Sequence, residues 1–177
     1  CAGILAHHRG LPVEHFIAAC NVNDVVPEYL RTEILQPKET VATISNAMDV
    51  GDPSNFVRIL ELFDKEFNQV KNKLSGYTID DEETLKTIER VEKDYGYVLD
   101  PHGAVAFVAL EKYLAENGGK GFFLETAHPV KFPDSVEKAT GKSVEIPKSL
   151  EELMRQEKFT TEIKPLYEEL KGFLLGK

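Results

Sequence analysis

Side chains able to bind or react with a small molecule are concentrated between residues 125 and 131. Thr126 offers a hydroxyl, His128 an imidazole and Lys131 an ammonium group. They follow a short apolar run, residues 122–124, which is entered through glycines and is typical of a buried strand. Ligands of open α/β sheets bind just beyond the carboxyl ends of the strands, so this order predicts a small-molecule site. The alternative is a plain turn in which Thr126 only caps backbone groups.

Three other polar clusters occupy comparable places in the chain. Residues 21–24 follow an apolar run at 15–20, and residues 45–55 precede a helical pattern. Residues 100–103 open an apolar helix, whose N-terminus offers backbone N–H groups to an anion. Physical reasoning alone leads to an α/β domain with a polar pocket at one edge of its sheet.

The elements that must position these clusters are helices alternating with short strands. Helices are predicted at 1–9, 27–30, 53–74, 78–95, 101–117, 134–139, 150–154 and 161–175. Strands are predicted at 15–20 and 122–124, and residues 144–146 form either an edge strand or an extended connection. The alternation predicts an α/β fold with a small, mostly parallel sheet flanked by helices. So few strands indicate that part of the sheet lies outside this chain.

Two patterns within the predicted helices are assigned to structure and not to chemistry. The apolar stripe from Phe56 to Leu74 has helical spacing, with Asp52 as its cap and Pro53 in the first turn, and is interpreted as core. The acidic run at 80–83 begins a helix, where the macrodipole favours anions. No surrounding histidines or carboxylates make that run a metal site, and no metal is predicted.

Composition excludes several classes of function. The 177 residues carry a net charge of −9, which argues against a nucleic-acid or anionic-membrane surface. No apolar run approaches the roughly 20 residues that a membrane helix needs. The two cysteines form neither a disulfide framework nor a metal-ligand pattern, so a reducing cytoplasm is the expected location.

The first nine residues look like the tail of a helix. They end in basic residues and Gly10, but have no N-cap and no initiator methionine. We therefore interpret the chain as a piece, or a processed form, of a longer protein.

Four segments, in order, carry a resemblance to a known family. Residues 18–27, 43–50 with 52–55, 100–106 and 126–132 closely resemble the C-terminal part of threonine synthase, of its bacterial and fungal subclass. That family belongs to the tryptophan-synthase-like, fold type II enzymes that use pyridoxal phosphate. The resemblance implies that residues 1–147 are the C-terminal part of the cofactor-binding large domain and that residues 148–177 are a helical extension.

The resemblance implies a γ-elimination and β-replacement in which O-phospho-L-homoserine and water give L-threonine and phosphate. The family's Schiff-base lysine and its Ser-Gly-Asn-Phe-Gly phosphate loop lie upstream of the matched region. The resemblance therefore places no catalytic residue in this chain and implies that the chain is inactive alone.

Several residues match the family's site by position. Thr126 matches the hydroxyl that hydrogen-bonds the pyridine nitrogen, and a neutral partner of this kind makes the ring a weaker electron sink. Asn21, Asn23 and Asp24 match positions along the ring or the substrate. The remaining expected substrate contacts are Ser45, Asn46, Asn55, Arg58, His102, His128 and Lys131.

Two alternatives stay open beside the enzyme. The first is a stand-alone small-molecule-binding or scaffolding domain that kept the fold. The second is a hydrolase using His102 or His128, for which the chain lacks a nucleophile motif. A sheet cut in two also exposes a strand edge and apolar helix faces, so self-association is expected.

Overall fold

The computed structural model describes residues 1–176, except for the side chain of Met154. The chain divides into two compact units, Cys1–Val144 and Glu145–Lys177, and the structure describes the second to residue 176. The assignment of residues 1–147 to a cofactor-binding part, and of the rest to an extension, stays a prediction.

The first unit contains seven helices and two strands among the described residues. The helices are α1 (Ala2–His8), α2 (Val25–Thr32), α3 (Phe56–Leu62), α4 (Phe67–Lys73), α5 (Asp81–Tyr95), α6 (Pro101–Asn117) and α7 (Pro133–Thr140). The strands are β1 (Phe16–Cys20) and β2 (Leu74–Thr78), and short 3-10 turns lie at Asn46–Met48 and Pro129–Lys131.

The two strands pair in parallel, with Phe16 opposite Leu74 and Cys20 opposite Thr78. Helix α6 packs against β1, and α2 packs mainly against β2. A Cβ on Gly76 of β2 would lie 2.8 Å from the Cα of Pro27, so α2 approaches the strand too closely for a side chain. The α/β class with a small parallel sheet is thus confirmed.

The predicted strand at 122–124 is wrong. The segment is extended but has no ladder partner in the described part of the chain. Phe122 and Leu124 are 71% and 73% exposed, and only Phe123 turns inward, packing edge-on against Phe107 of α6. Residues 144–146 likewise form an extended connection and not a strand.

The single long helix predicted at 53–74 is also wrong. Asp64 and Lys65 have φ of 51° and 61°, a left-handed conformation that ends α3 and separates it from α4. Leu74, the expected end of the helix, begins β2. Asn55, and not Asp52, occupies the cap position of α3.

The stripe nevertheless forms the core, as interpreted. Phe56, Phe63, Val70 and Leu74 are buried in one cluster with Ile4, Tyr29 and Leu30. A second cluster joins α5 to α6 through Ile88, Val91, Leu99 and Ala104. The strand pair and α6 position the polar segments, and both are therefore held in place by apolar packing.

Helix α6 begins where the sequence predicts, whereas α5 begins at Asp81 and not at the predicted residue 78, which ends β2. The side chain of Asp80 accepts a hydrogen bond from the Glu83 N–H, and Gly96, with φ of 67°, ends α5. Asp100 caps α6, with Pro101 in its first turn. No group of three metal-binding side chains occurs among the described residues.

The second unit contains α8 (Lys148–Met154) and α9 (Tyr167–Leu174). Helix α9 is shorter than the predicted 161–175, and Phe159, Tyr167 and Leu174 are strongly exposed. Within residues 1–176, every helix is too short or too polar to cross a membrane.

Candidate functional site

Asn21 and Asn23 leave the carboxyl end of β1 and point into the protein. They are 1% and 6% exposed. The Oδ1 atom of Asn21 accepts hydrogen bonds from the backbone N–H and the side-chain amide of Asn23, each at 2.9 Å. The side chain of Asn23 also bonds both backbone groups of Val41, at 2.8 and 2.9 Å. The two asparagines therefore fix the turn after β1 to the loop that follows α2.

Asp49 is the main acceptor of this network. Its Oδ1 accepts from the hydroxyl of Thr43 at 2.7 Å, from Asn21 Nδ2 at 2.8 Å and from Asn23 Nδ2 at 3.2 Å. Its Oδ2 accepts from the Thr43 N–H at 3.0 Å. The hydroxyl of Ser45, fully buried, lies 3.1 Å from Asn21 Nδ2. One carboxylate thus holds together residues 21, 23 and 43.

Asp24 lies beside this network and faces a different set of partners. It forms an ion pair with Lys38 at 2.6 Å and accepts from the hydroxyl of Thr78 at 3.1 Å. Burial would raise the pKa of Asp24, but the hydrogen bonds from Lys38 and Thr78 and the charge of Lys38 outweigh it and lower the pKa. Lys38 also pairs with Glu28. Asp24 therefore ties the end of β2 to the loop after α2.

His102, in the first turn of α6, connects that helix to the 3-10 turn at 46–48. Its Nδ1 lies 2.7 Å from Asp100 Oδ1, and its Nε2 accepts a hydrogen bond from the Ala47 N–H at 3.1 Å. An acceptor Nε2 carries no proton, so the hydrogen lies on Nδ1 and is donated to Asp100. Both ring nitrogens are thus engaged within the protein.

The segment around Thr126 is attached to the same end of α6 at two points. Glu125 Oε1 accepts from the Asp100 N–H at 3.2 Å, and Glu125 Oε2 accepts from the hydroxyl of Tyr97 at 2.5 Å. The ring of Phe132 packs against His102, with centroids 4.8 Å apart. Thr126, which lies between these contacts, is exposed and makes no side-chain hydrogen bond among residues 1–176.

A continuous chain of contacts therefore joins all four polar segments. It runs from Glu125 through Asp100 and His102 to the 45–48 turn, and from there to the network around Asn21. The structure brings together Asn21, Asn23, Ser45 and His102 along this chain, and Thr126 follows directly after Glu125 in sequence.

Other predicted residues lie at the surface of this assembly or away from it. Asn46 is exposed at the start of the 3-10 turn, and Asn55 and Arg58 are exposed at the start of α3. Lys131 is exposed, and His128 accepts a hydrogen bond from the Val130 N–H at 3.2 Å, which caps the turn at 129–131. The substrate- and cofactor-binding roles of all these side chains stay predictions.

Sequence reasoning missed Asp49 and Glu125 as organising residues. Each lies inside a segment that was singled out, next to hydroxyl and amide side chains. A carboxylate close in sequence to neutral donors, Asp49 near Thr43 and Ser45 and Glu125 beside Thr126, was the available signal, because a carboxylate only accepts hydrogen bonds and so gathers donors around it.

Comparison with known proteins shows which proteins the chain is similar to. Residues 103–174 match a protein-family model described as "Threonine synthase, C-terminal". The chain is 48% identical to threonine synthase of Escherichia coli strain K12 over 151 residues, which cover 85% of this chain and 35% of that protein. It is 43% identical to threonine synthase of Serratia marcescens over 175 residues, covering 99% of this chain and 40% of that protein.

Solved structures give the same answer. The crystal structure of threonine synthase from Escherichia coli superposes with a TM-score of 0.88 at 42% identity, over 99% of this chain and 40% of that one. The structure titled "PLP bound Threonine synthase" from Brucella melitensis has a TM-score of 0.81 at 28% identity, over 98% of this chain and 42% of that one. The chain spans about two fifths of the length of these relatives. It belongs to the threonine synthase family and matches the C-terminal part of its members.

Proposed function

We propose that these residues are part of a threonine synthase that uses pyridoxal phosphate to convert O-phospho-L-homoserine and water to L-threonine and phosphate. They supply one wall of its site. The observation that carries the proposal is the chain of hydrogen bonds from Glu125 to Asn21. It gathers four segments that are remote in sequence and leaves the Thr126 hydroxyl exposed beside them.

The residues present fit this cofactor at one point in particular. Thr126 is exposed, and its hydroxyl has no side-chain partner in the described residues. The preceding residue, Glu125, accepts a hydrogen bond from the Asp100 N–H at the N-terminus of α6. The Thr126 hydroxyl can form one hydrogen bond with a pyridine nitrogen, and because it is neutral it adds no charge beside the ring. When bound, pyridoxal phosphate stabilises negative charge on carbon atoms of an amino-acid substrate.

The chain's own side chains would share the remaining work. Asn21, Asn23 and Asp49 hold the 41–49 loop in one position, so that exposed Asn46 faces outward from a fixed turn. Arg58 and Lys131 have exposed cationic groups of the kind that bind a phosphate ester.

Several further expectations belong to the same proposal. The lysine that holds the cofactor lies outside these 177 residues, so the residues alone turn over no substrate. The enzyme works in the cytoplasm on a small molecule and binds no nucleic acid, which its net charge of −9 disfavours. The many exposed apolar side chains, such as Phe122 and Leu124, make self-association of the isolated 177 residues the expected behaviour.

The test is formation of threonine by the complete polypeptide that carries these residues, supplied with pyridoxal phosphate and O-phospho-L-homoserine. Thr126→Val removes the hydroxyl at nearly constant volume, and loss of one hydrogen bond predicts about a tenfold fall in turnover. Thr160→Val, an exposed threonine in the other unit, is the matched control. Equal turnover by the two variants would refute the role given to Thr126, and absence of threonine from the unaltered polypeptide would refute the function.

The alternative of a stand-alone binding or scaffolding domain is not favoured over the threonine synthase proposal. The chain's similarity to threonine synthases extends over nearly its whole length.

A further inference from the structure

We propose that Glu125 is a positioning residue that fixes the Thr126 hydroxyl against the N-terminus of α6. The inference rests on the proposed function for its cofactor, but its structural part is testable without any cofactor. It assigns a specific task to a side chain that no motif in the sequence marked.

Both hydrogen bonds of the Glu125 carboxylate are made to the connection between α5 and α6. One carboxylate oxygen accepts the backbone N–H of Asp100, the residue that caps α6, and the other accepts the hydroxyl of Tyr97. Both partners lie in the connection between α5 and α6. Residues 122–128 form no helix or strand of their own, so these bonds replace the backbone pairing that would otherwise hold the segment.

The two carboxylates at this helix start divide the available donors between them. Asp100 accepts from the N–H groups of His102 and Gly103, at 2.9 and 3.4 Å, and Glu125 accepts from the N–H of Asp100 itself. The partial positive charge of the helix N-terminus favours both anions. The hydrogen bond to Glu125, together with burial and the charge of Glu125, raises the pKa of Tyr97 to about 12.

Gly103 gives a second, independent sign that Glu125 is seated here. A Cβ placed on Gly103 would lie 2.9 Å from Glu125 Oε1 and 3.1 Å from its Cδ, and all three of its nearest neighbours are atoms of Glu125. The first turn of α6 therefore leaves room for this carboxylate where a side chain would displace it. Phe132, packed on His102, holds the far end of the same segment, so Thr126 is restrained from both sides.

Four variants of the complete polypeptide separate positioning from general stability. Glu125→Ala removes the carboxylate, and Glu125→Gln keeps an oxygen that can accept the Asp100 N–H. Gly103→Ala favours the helix by intrinsic propensity yet pushes Glu125 aside. Glu116→Ala is the matched control, because Glu116 also accepts a tyrosine hydroxyl, that of Tyr77 at 3.1 Å, but at the end of α6 remote from its cap.

The first measurement is amide hydrogen exchange of residues 98–103 in the cofactor-free protein, read by mass spectrometry, because the Asp100 N–H that donates to Glu125 lies in this stretch. Loss of one hydrogen bond predicts about tenfold faster exchange in Glu125→Ala and Gly103→Ala. Glu125→Gln should restore most of the protection, and Glu116→Ala should leave it unchanged. Exchange in Glu125→Ala no faster than in the control would overturn the proposal, as would uniform acceleration over the whole chain, which indicates loss of stability alone.

The second measurement is the dissociation constant for pyridoxal phosphate, from fluorescence titration. If the Thr126 hydroxyl is displaced, the dissociation constant should be about three to ten times larger for Glu125→Ala and Gly103→Ala, which corresponds to about one hydrogen bond. The control should show no change. Faster exchange with unchanged affinity would overturn the link to the cofactor while leaving the structural restraint. Failure of the unaltered protein to bind the cofactor would instead overturn the proposed function, and the exchange result would still decide the role of Glu125.

Discussion

Replacing Asp49 by asparagine tests whether one carboxylate organises the site. In the structure its two oxygens accept four hydrogen bonds from three residues, Asn21, Asn23 and Thr43. Asparagine has nearly the same shape but offers one oxygen and one NH2 group. If the oxygen keeps its three donors, the NH2 group faces the backbone N–H of Thr43, and two donors then oppose each other.

The size of the effect follows from these contacts. A hydrogen bond to a charged acceptor contributes about 1.5–3 kcal/mol and one to a neutral acceptor about 0.5–1.5 kcal/mol, while an unsatisfied buried donor costs about 1–3 kcal/mol. Asp49 is only half-buried, so water can satisfy part of what is lost. We expect Asp49→Asn to lower the free energy of unfolding by about 2 kcal/mol, and Asp49→Ala by more.

Urea unfolding followed by far-UV circular dichroism measures this difference, and Asp52→Asn is the matched control. Asp52 lies in the same loop, is exposed, and its side chain has no hydrogen bond within the described part of the chain. Its substitution should change stability by less than about 0.5 kcal/mol. If Asp49→Asn fell within that same range, the carboxylate would not be the organising acceptor.

Two further predictions concern ionisable groups at the end of β1. The pKa of Asp24 is lowered, so the stability gained from Lys38 and Thr78 is present above the ordinary aspartate pKa of about 4 and is lost as the pH falls below it. The stability difference between the unaltered protein and Asp24→Asn should therefore shrink in acid, and a difference that persists at pH 2 in urea titrations would contradict this. Burial and the charge of Asp24 raise the pKa of Cys20 to about 12. Iodoacetamide at pH 8 should therefore label exposed Cys1 and leave Cys20 unmodified. Equal labelling of the two cysteines, read by peptide mass spectrometry, would contradict this prediction.

The helix termini were predictable where local chemistry determines them. Gly96 ends α5, and Asp100 followed by Pro101 starts α6, because capping groups act on backbone atoms a few residues away. These signals require no knowledge of the rest of the fold. The start of α5 was predicted at residue 78, two residues before its cap Asp80, because the end of β2 at Thr78 was not foreseen.

The break between α3 and α4 was not predictable from the apolar stripe. Both helices bury residues in the same cluster, so Phe56, Phe63 and Val70 keep helical spacing across the left-handed residues Asp64 and Lys65. Periodicity reports which residues face the core, and two helices facing one core give the same pattern as one. The strand β2 was missed for a related reason, since Leu74 completes the stripe while also starting the ladder.

The site was predictable as a set of segments but not as a set of side-chain directions. Asn21 and Ser45 were expected to face a ligand, and the structure places both in the protein interior. Polar side chains at a strand end can bond a ligand or an adjacent loop, and only the fold decides between the two. The exposed hydroxyl of Thr126 depends in the same way on Glu125 and Phe132, whose partners are far away in sequence.

The parallel ladder has a consequence for how the chain reaches its folded state. Phe16 pairs with Leu74, so the ladder closes only after the long stretch between them has turned back on itself. The entropic cost of closure rises with the length enclosed, and non-local pairing of this kind slows folding. The bonds between Asn21 and Asp49 fasten that stretch partway along and leave a shorter remainder to be closed. The same asparagine and aspartate that join the polar segments therefore also shorten the loop that the strands beneath them enclose.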